Sequence, residues 1–191
     1  MTSNRLEAFS DGVIAIIITI MVLELRPPHL TDLAALRPLL PVFLSYAMSF
    51  VFVGIYWSNH HHLFQAVEQV NGRVLWANLH LLFWLSLVPF VTAWIGETHF
   101  AAWPVALYGV VLVMAALAYT IMTRALLSIH SDDSVLATAL GRNFKEKISI
   151  VINVLAVPLA FVKPWISCLM YVIVAVIWFV PDRRIERTVA S

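Results

Sequence analysis

Six long apolar stretches constrain the fold of this chain more than any other feature. They cover roughly residues 6–25, 38–62, 73–96, 102–126, 147–163 and 165–181. A helix needs about 20 mostly apolar residues to cross the hydrocarbon core of a bilayer, and these stretches come near that length. With 61% hydrophobic and 12% charged residues, the chain is far more apolar than a soluble domain. The sequence therefore predicts an all-α, polytopic membrane protein with six transmembrane helices in one domain, residues 1–191.

Prolines support the boundaries of these helices, because proline lacks the backbone N–H that a helix interior requires. Those predicted to lie at helix ends are Pro27, Pro28, Pro38, Pro41, Pro104, Pro164 and Pro181. Pro89 and Pro158 fall inside predicted helices and indicate kinks there. The dipeptide Lys163-Pro164 leaves room only for a tight turn, so the fifth and sixth helices are predicted to be antiparallel neighbours.

Positive charge in the loops predicts the orientation of the chain, because Lys and Arg concentrate on the cytoplasmic side of a membrane. If both termini are cytoplasmic, nine basic residues lie inside: Arg5, Arg73, Arg124, Arg142, Lys145, Lys147, Arg183, Arg184 and Arg187. Three lie outside: Arg26, Arg37 and Lys163. The longest of the inside loops, 127–147, is predicted to hold one short helix that Asp132 or Asp133 begins and Gly141 ends.

Several classes of function lack support in the sequence. The formal net charge is +1 and no basic patch with interleaved aromatic residues is present, which argues against a nucleic-acid partner. No nucleophile elbow, H-E-x-x-H motif, Walker loop or G-x-G-x-x-G motif occurs, so we expect neither an enzyme nor a cofactor. The consecutive histidines 60–62 have no second ligand four residues on, as a helical zinc site would require, and the single cysteine, Cys168, is expected to be a buried thiol.

A polar signature from Arg5 to Gly12 opens the first predicted helix. Charged side chains at the membrane are costly unless they have partners, so they are expected to serve structure or transport. Candidate partners for Asp11 at the same predicted depth are Asn59, His60, Asn78 and His80. We favour a hydrogen-bonded latch, formed by Ser10 and Asp11, over direct ion binding. Arg5 lies about 120° from Asp11 around the helix and is expected to pair with another helix or subunit.

The remainder of the first helix carries an apolar stripe with one hydroxyl. At 100° per residue, Ile16, Thr19, Ile20 and Leu23 share one side, remote from Ser10 and Asp11. Such a stripe could face lipid, pack against another helix, or line a pore. Rings of bulky apolar side chains can close a channel by dewetting, and a nearby hydroxyl can help to coordinate a cation. Spacing alone does not select among these interpretations.

The motif Arg5-x-x-x-Phe9-Ser10-Asp11-Gly12, followed by Trp57-x-x-His60 at the end of the second helix, resembles a known family. It is similar to prokaryotic members of the lysosomal potassium channel family, transmembrane protein 175. The resemblance extends over the whole chain in length, number of helices and order of motifs. It implies a homotetramer of six-helix subunits in a prokaryotic plasma membrane, with the first helices lining a central pore.

The resemblance also implies roles for individual residues. Ile16, Ile20 and Leu23 would form hydrophobic constrictions, and Thr19 would supply the hydroxyl associated with potassium preference. An interhelical structural network would include Arg5, Phe9, Ser10, Asp11, Trp57, Asn59, His60 and Asn78. The T-V-G-Y-G filter of ordinary potassium channels is absent from the sequence, as it is from this family.

These observations lead to the hypothesis of a potassium-selective channel that conducts passively and is gated by hydrophobic constrictions. Glu24 would attract cations at the outer mouth. Apart from the other copies of the chain, the expected partners of the channel are potassium ions and the lipid bilayer. The main alternative is a proton-coupled ion or small-solute transporter in which Asp11 and His60 exchange protons. Flux that saturates at low ion concentration and follows a pH gradient would favour the transporter. A non-conducting membrane scaffold is the third alternative.

Overall fold

The computed structural model describes residues 2–28, 31–65, 67, 69–129 and 144–179, and the regular structure in these ranges is helical. The helices are α1 Ser3–Leu23, a 3₁₀ helix Leu33–Leu39, α2 Leu40–Gln65, α3 Gly72–Ser86, α4 Val88–Glu97, α5 Ala102–Leu127, α6 Phe144–Leu159 and α7 Pro164–Phe179. An isolated antiparallel bridge joins Thr2 to Gln69. The predicted short helix at Asp132, Asp133 and Gly141 lies outside the described residues, as do Arg142 and the chain from residue 180 onward.

Four helical segments are long and apolar enough to cross a membrane. They are Ser3–Leu23, Leu33–Gln65, Gly72–Glu97 and Ala102–Leu127. The remaining two, α6 and α7, have 16 residues each within the described ranges. At 1.5 Å per residue such helices reach about 24 Å, less than the roughly 30 Å of the hydrocarbon core. With α3 and α4 counted as one interrupted span, the described part of the chain has six helical segments in the predicted all-α, multi-pass architecture.

The kink predicted at Pro89 takes the form of an interruption at Leu87, between α3 and α4. Pro89 stands in the first turn of α4 and has no N–H to donate to the preceding turn. The Leu87 N–H instead donates to the Trp84 carbonyl over 3.2 Å, which closes α3. Near the other interior proline, α6 continues only one residue beyond Pro158 before it ends.

The turn between α6 and α7 is as short as the sequence predicts. Lys163 N–H donates to the Leu159 carbonyl over 2.9 Å, and Pro164 begins α7. Proline is favoured at the first position of a helix because its missing N–H would have no partner there. The Ser167 hydroxyl donates to the Ala156 carbonyl over 2.7 Å, which fixes the two helices side by side.

Helix α5 lies at the centre of the bundle and packs against α3, α4, α6 and α7. Small residues on this helix, Gly109, Ala115 and Ala118, let neighbouring helices approach closely, as is typical of membrane proteins. A side chain at Gly109 would collide with the ring of Tyr171. The Tyr171 hydroxyl donates to the Val105 carbonyl over 3.0 Å, so this close approach also satisfies a buried polar group. Helix α1 packs separately, against α2, α3 and α4.

Candidate functional site

The two sides of α1 have opposite environments in the subunit. Leu6, Ser10, Ile14, Ile17 and Met21 are buried and recur every three or four residues, which places them on one face of the helix. On the other face Ile16 is 58% exposed, Ile20 is 44% exposed and Leu23 is 76% exposed. Thr19 lies among them and is also exposed. The structure thus separates the polar latch residues from the apolar stripe, which is what the helical spacing predicts.

Three buried side chains from three helices meet in the N-terminal half of α1. The Asn78 amide on α3 donates to Ser10 Oγ over 2.9 Å, and its Oδ1 lies 2.8 Å from His60 Nε2 on α2. Because an amide oxygen only accepts, His60 carries its proton on Nε2 in this arrangement. The Ser10 hydroxyl also donates to the Leu6 carbonyl over 2.8 Å. Asn78 is therefore the central member of a latch formed by Ser10, Asn78 and His60.

A second set of polar contacts joins α1 to α2 nearer the surface. Trp57 Nε1 donates to the Asp11 carboxylate over 3.0 Å, and one turn away His61 Nδ1 lies 2.6 Å from the Glu7 carboxylate. The Trp57 and His61 rings stack with centroids 5.9 Å apart, and Gln65 Nε2 lies 2.8 Å from His61 Nε2. These contacts form a clamp consisting of Glu7, Asp11, Trp57, His61 and Gln65.

Sequence reasoning did not identify Glu7 and His61 as site residues. The signal was their spacing: Glu7 precedes Asp11 by four residues, and His61 follows Trp57 by four. Residues four apart share a helix face, so in an antiparallel pair of helices two such couples can meet face to face. The adjacent His60, in contrast, points to the buried latch, which agrees with the roughly 100° between consecutive helical residues.

Other predicted members of the network lie elsewhere in the subunit. Arg5 and Phe9 are exposed on the side of α1 that carries the apolar stripe, and Arg5 has no hydrogen bond or ion pair among the described residues. Asn59 donates to the Ile55 carbonyl of its own helix over 2.8 Å. His80 accepts from Trp84 over 3.0 Å. The partner of Asp11 is thus Trp57, and not Asn59, His60, Asn78 or His80.

The exposed face of α1 forms a continuous line along the helix. Gly12, Ile16, Thr19 and Leu23 lie within about 60° of one another, and the Thr19 hydroxyl donates to the Ile16 carbonyl over 2.9 Å. That bond uses the hydroxyl proton and leaves the oxygen lone pairs free to accept or to coordinate. Glu24 is exposed at the C-terminal end of the helix. Within the described ranges no three His, Cys, Asp or Glu residues are grouped to hold a metal ion.

Comparison with known proteins identifies the family. The family model "Endosomal/lysosomal potassium channel TMEM175" matches residues 5–89, which include the latch, the clamp and the exposed stripe. A potassium channel of Chryseobacterium sp. is 56% identical over 188 residues, which is 98% of each chain. The chain belongs to the TMEM175 family. This confirms the resemblance inferred from the Arg5-to-Gly12 motif.

Two further TMEM175 comparisons agree in sequence and in fold. A potassium channel of Streptomyces collinus is 38% identical over 128 residues, which is 61% of each chain. The crystal structure of a lysosomal potassium-selective channel TMEM175 homolog from Chamaesiphon minutus superimposes with a TM-score of 0.77. It has 26% sequence identity, and the superposition covers 92% of this chain and 95% of that one. The fold of the described residues is therefore that of the Chamaesiphon TMEM175 homolog.

Proposed function

We propose that the protein is a potassium-selective channel in which four copies surround a central pore lined by α1. The observation that carries this proposal is the exposed stripe of Ile16, Thr19, Ile20 and Leu23, on a helix whose other face is held firmly inside the subunit. Relatives that match nearly the whole chain, or its fold, are described as potassium channels. Closed rotational symmetry would bring the same stripe of each copy to one axis.

The stripe has the chemistry of a hydrophobic gate. Ile16 and Ile20 are one helical turn apart, about 6 Å, and Leu23 follows about 4.5 Å further on. Four copies would form three apolar rings, and such rings interrupt a water column when they are narrow. Thr19 would offer a hydroxyl oxygen between the rings to an ion that sheds part of its hydration shell. Glu24 would concentrate cations at the outer mouth.

The latch and the clamp would hold each pore-lining helix in position. Both act on the inner third of α1, through Glu7, Ser10 and Asp11, and both leave the stripe uncovered. Arg5 and Phe9 continue the stripe toward the inner end, where they would contact a neighbouring copy. The whole chain, residues 1–191, would act as one domain in a bacterial plasma membrane, with both termini in the cytoplasm as the loop charges predict.

Reversal potentials of the full chain in planar bilayers test conduction and selectivity together. Under opposed potassium and sodium gradients, we expect single-channel currents that reverse toward the potassium equilibrium potential. Native mass spectrometry of the same preparation should give the mass of four chains. Flux that saturates at low ion concentration and requires a pH gradient would instead establish the transporter that uses Asp11 and His60.

The Ile16→Asn variant tests the gate directly. An amide in place of the apolar side chain would let water enter the constriction, so conductance should rise or potassium preference should fall. The matched control is Val22→Asn, which changes an apolar residue of α1 that is also exposed but lies on another side of the helix. Unchanged currents in Ile16→Asn would remove Ile16 from the gate. Equal effects of both variants would point to a general perturbation of α1.

A further inference from the structure

A second candidate site lies away from α1. It is a partly open cavity of about 40 Å³ among α2, α5, α6 and α7. A cavity of about 10–15 Å³ on this measure already holds one water, so the space suffices for a small ion with one or two waters. Its wall includes Tyr56, Tyr119, Glu146, Ser149, Asn153 and Trp178. No residue of α1 lines it, so it is separate from the proposed pore.

The polar groups of the cavity wall leave hydrogen-bond acceptors without a partner. Asn153 is only 3% exposed, and its side-chain oxygen has no hydrogen-bond partner among the described residues. The Glu146 carboxylate accepts from the Thr120 hydroxyl, which satisfies one of its lone pairs. Ser149, by contrast, donates to the Lys145 carbonyl and accepts from Trp178. The side-chain oxygen of Asn153 and the remaining lone pairs of Glu146 are therefore the acceptors of this wall that a ligand could contact.

The charge and the shape of the wall favour a cation. The described lining residues include one carboxylate and no Lys, Arg or His. Tyr56 and Tyr119 meet edge to face with centroids 6.2 Å apart beside Glu146, and aromatic rings attract cations through their faces. An ionised carboxylate in a membrane helix bundle costs free energy unless it has a partner, and such residues are usually found at functional sites. A single carboxylate suits a monovalent ion, whereas Ca²⁺ sites use several and Mg²⁺ demands a near-ideal octahedron of oxygens.

We propose that this cavity binds a small monovalent cation that the Glu146 carboxylate and the side-chain oxygen of Asn153, two helical turns apart on α6, contact directly or through a water. An alkali ion and a primary ammonium share the required chemistry, because each combines one positive charge with a small radius. The bound ion would neutralise Glu146, satisfy Asn153 and link α6 to α2 and α5 through the cavity wall. The site would be occupied whether or not the central pore conducts.

Infrared difference spectroscopy of the full chain in lipid nanodiscs can test this site. N-methylglucamine, which is too large for the cavity, is exchanged in the perfusing buffer for sodium, potassium or methylammonium at constant ionic strength. We expect a carboxylate-stretch difference band with at least one of these small cations and none when N-methylglucamine is exchanged for tetraethylammonium, a second ion that is too large. A response to methylammonium alone would assign the site to ammonium compounds, and a response to sodium and potassium would assign it to alkali ions.

Three variants separate this cavity from other carboxylates. Glu146→Gln should abolish the band, while Glu97→Gln, which changes an exposed carboxylate at the end of α4, should preserve it. Asn153→Asp adds a second carboxylate to the same cavity and should raise the apparent affinity roughly tenfold. A band that persists in Glu146→Gln, or that tetraethylammonium reproduces, would overturn the proposal. So would the absence of any band in the wild type together with no gain in Asn153→Asp, a variant that keeps the size of the native side chain.

Discussion

The two faces of α1 differ in what constrains their sequence. On the buried face, the latch joins Ser10 to Asn78 of α3 and, through Asn78, to His60 of α2, and the apolar residues between are covered. On the exposed face, large apolar side chains lie in line with a threonine and have few contacts with the rest of the chain. Folding therefore constrains the residues of the buried face, whereas contacts outside the folded chain constrain those of the exposed face. Substitutions on the two faces of α1 should accordingly affect different properties.

The sharpest test of this difference compares two adjacent isoleucines. Ile17→Asn removes an apolar side chain from the buried face and leaves an amide there without a hydrogen-bond partner. We therefore expect a loss of about 4 kcal/mol in the free energy of unfolding. Ile16→Asn should cost less than about 0.5 kcal/mol, because exposed substitutions are usually tolerated. Denaturant unfolding in detergent measures both. Equal losses would mean that the stripe is part of the packed core.

Removal of the central latch residue should have the next largest effect. Asn78→Leu leaves Ser10 and His60 buried without their shared partner, at a cost of about 3 kcal/mol, since each unsatisfied buried group costs about 1–3 kcal/mol. The matched control is Asn59→Leu, whose side chain bonds only to its own helix and should cost less than about 1 kcal/mol. Thermal unfolding of the purified proteins distinguishes the two variants. A larger loss in Asn59→Leu would contradict the central position of Asn78.

The clamp should contribute less than the latch, because its members are partly exposed. A double-mutant cycle of Glu7→Gln and His61→Gln should give a coupling energy of about 0.5–1 kcal/mol, as is usual for partly exposed pairs. The cycle is measured by unfolding at low and high salt, and the coupling should weaken as salt rises. A coupling energy above about 2 kcal/mol would mean that the pair contributes as much to the free energy of unfolding as the buried latch does.

Thr19→Val should leave stability almost unchanged and alter only ion preference. Valine matches threonine in shape but lacks the hydroxyl, and Thr19 bonds only to the Ile16 carbonyl of its own helix. We expect the potassium-to-sodium permeability ratio to fall a few-fold, which reversal potentials would reveal. Thr98→Val, at the C-terminal end of α4, is the control for loss of a hydroxyl that bonds within its own turn. An unchanged ratio in Thr19→Val would exclude this hydroxyl from ion selection.

The sequence predicted the helical segments well because the thickness of a membrane and the chemistry of proline fix their length and ends. The break at Leu87 and the turn before Pro164 follow from the missing N–H of proline. The start of the second segment was harder to place. Asp32 caps a 3₁₀ helix by accepting from the Ala35 N–H over 3.2 Å, and α2 begins only at Leu40.

The pairing of side chains between helices was less predictable than the helices themselves. Polarity and membrane depth suggested amides and histidines as partners of Asp11, yet its partner is the indole of Trp57. Each residue turns the helix by about 100°, so a small error in the relative rotation of α1 and α2 exchanges one set of neighbours for another. That rotation depends on the packing of α1 against α3 and of both α1 and α2 against α4, and sequence spacing does not contain it.

The interruption at Leu87 separates two sets of contacts along this interrupted span. On its N-terminal side, α3 contacts α1 through Asn78, whereas on its C-terminal side α4 joins α2 through Thr92 and Ser49, whose hydroxyl oxygens are 2.6 Å apart. The regular helix is broken between these two sets of contacts, so a tilt of α4 need not disturb the latch. In the proposed pore, the C-terminal half of α1 would then be able to change its distance from the axis while the latch holds its N-terminal end.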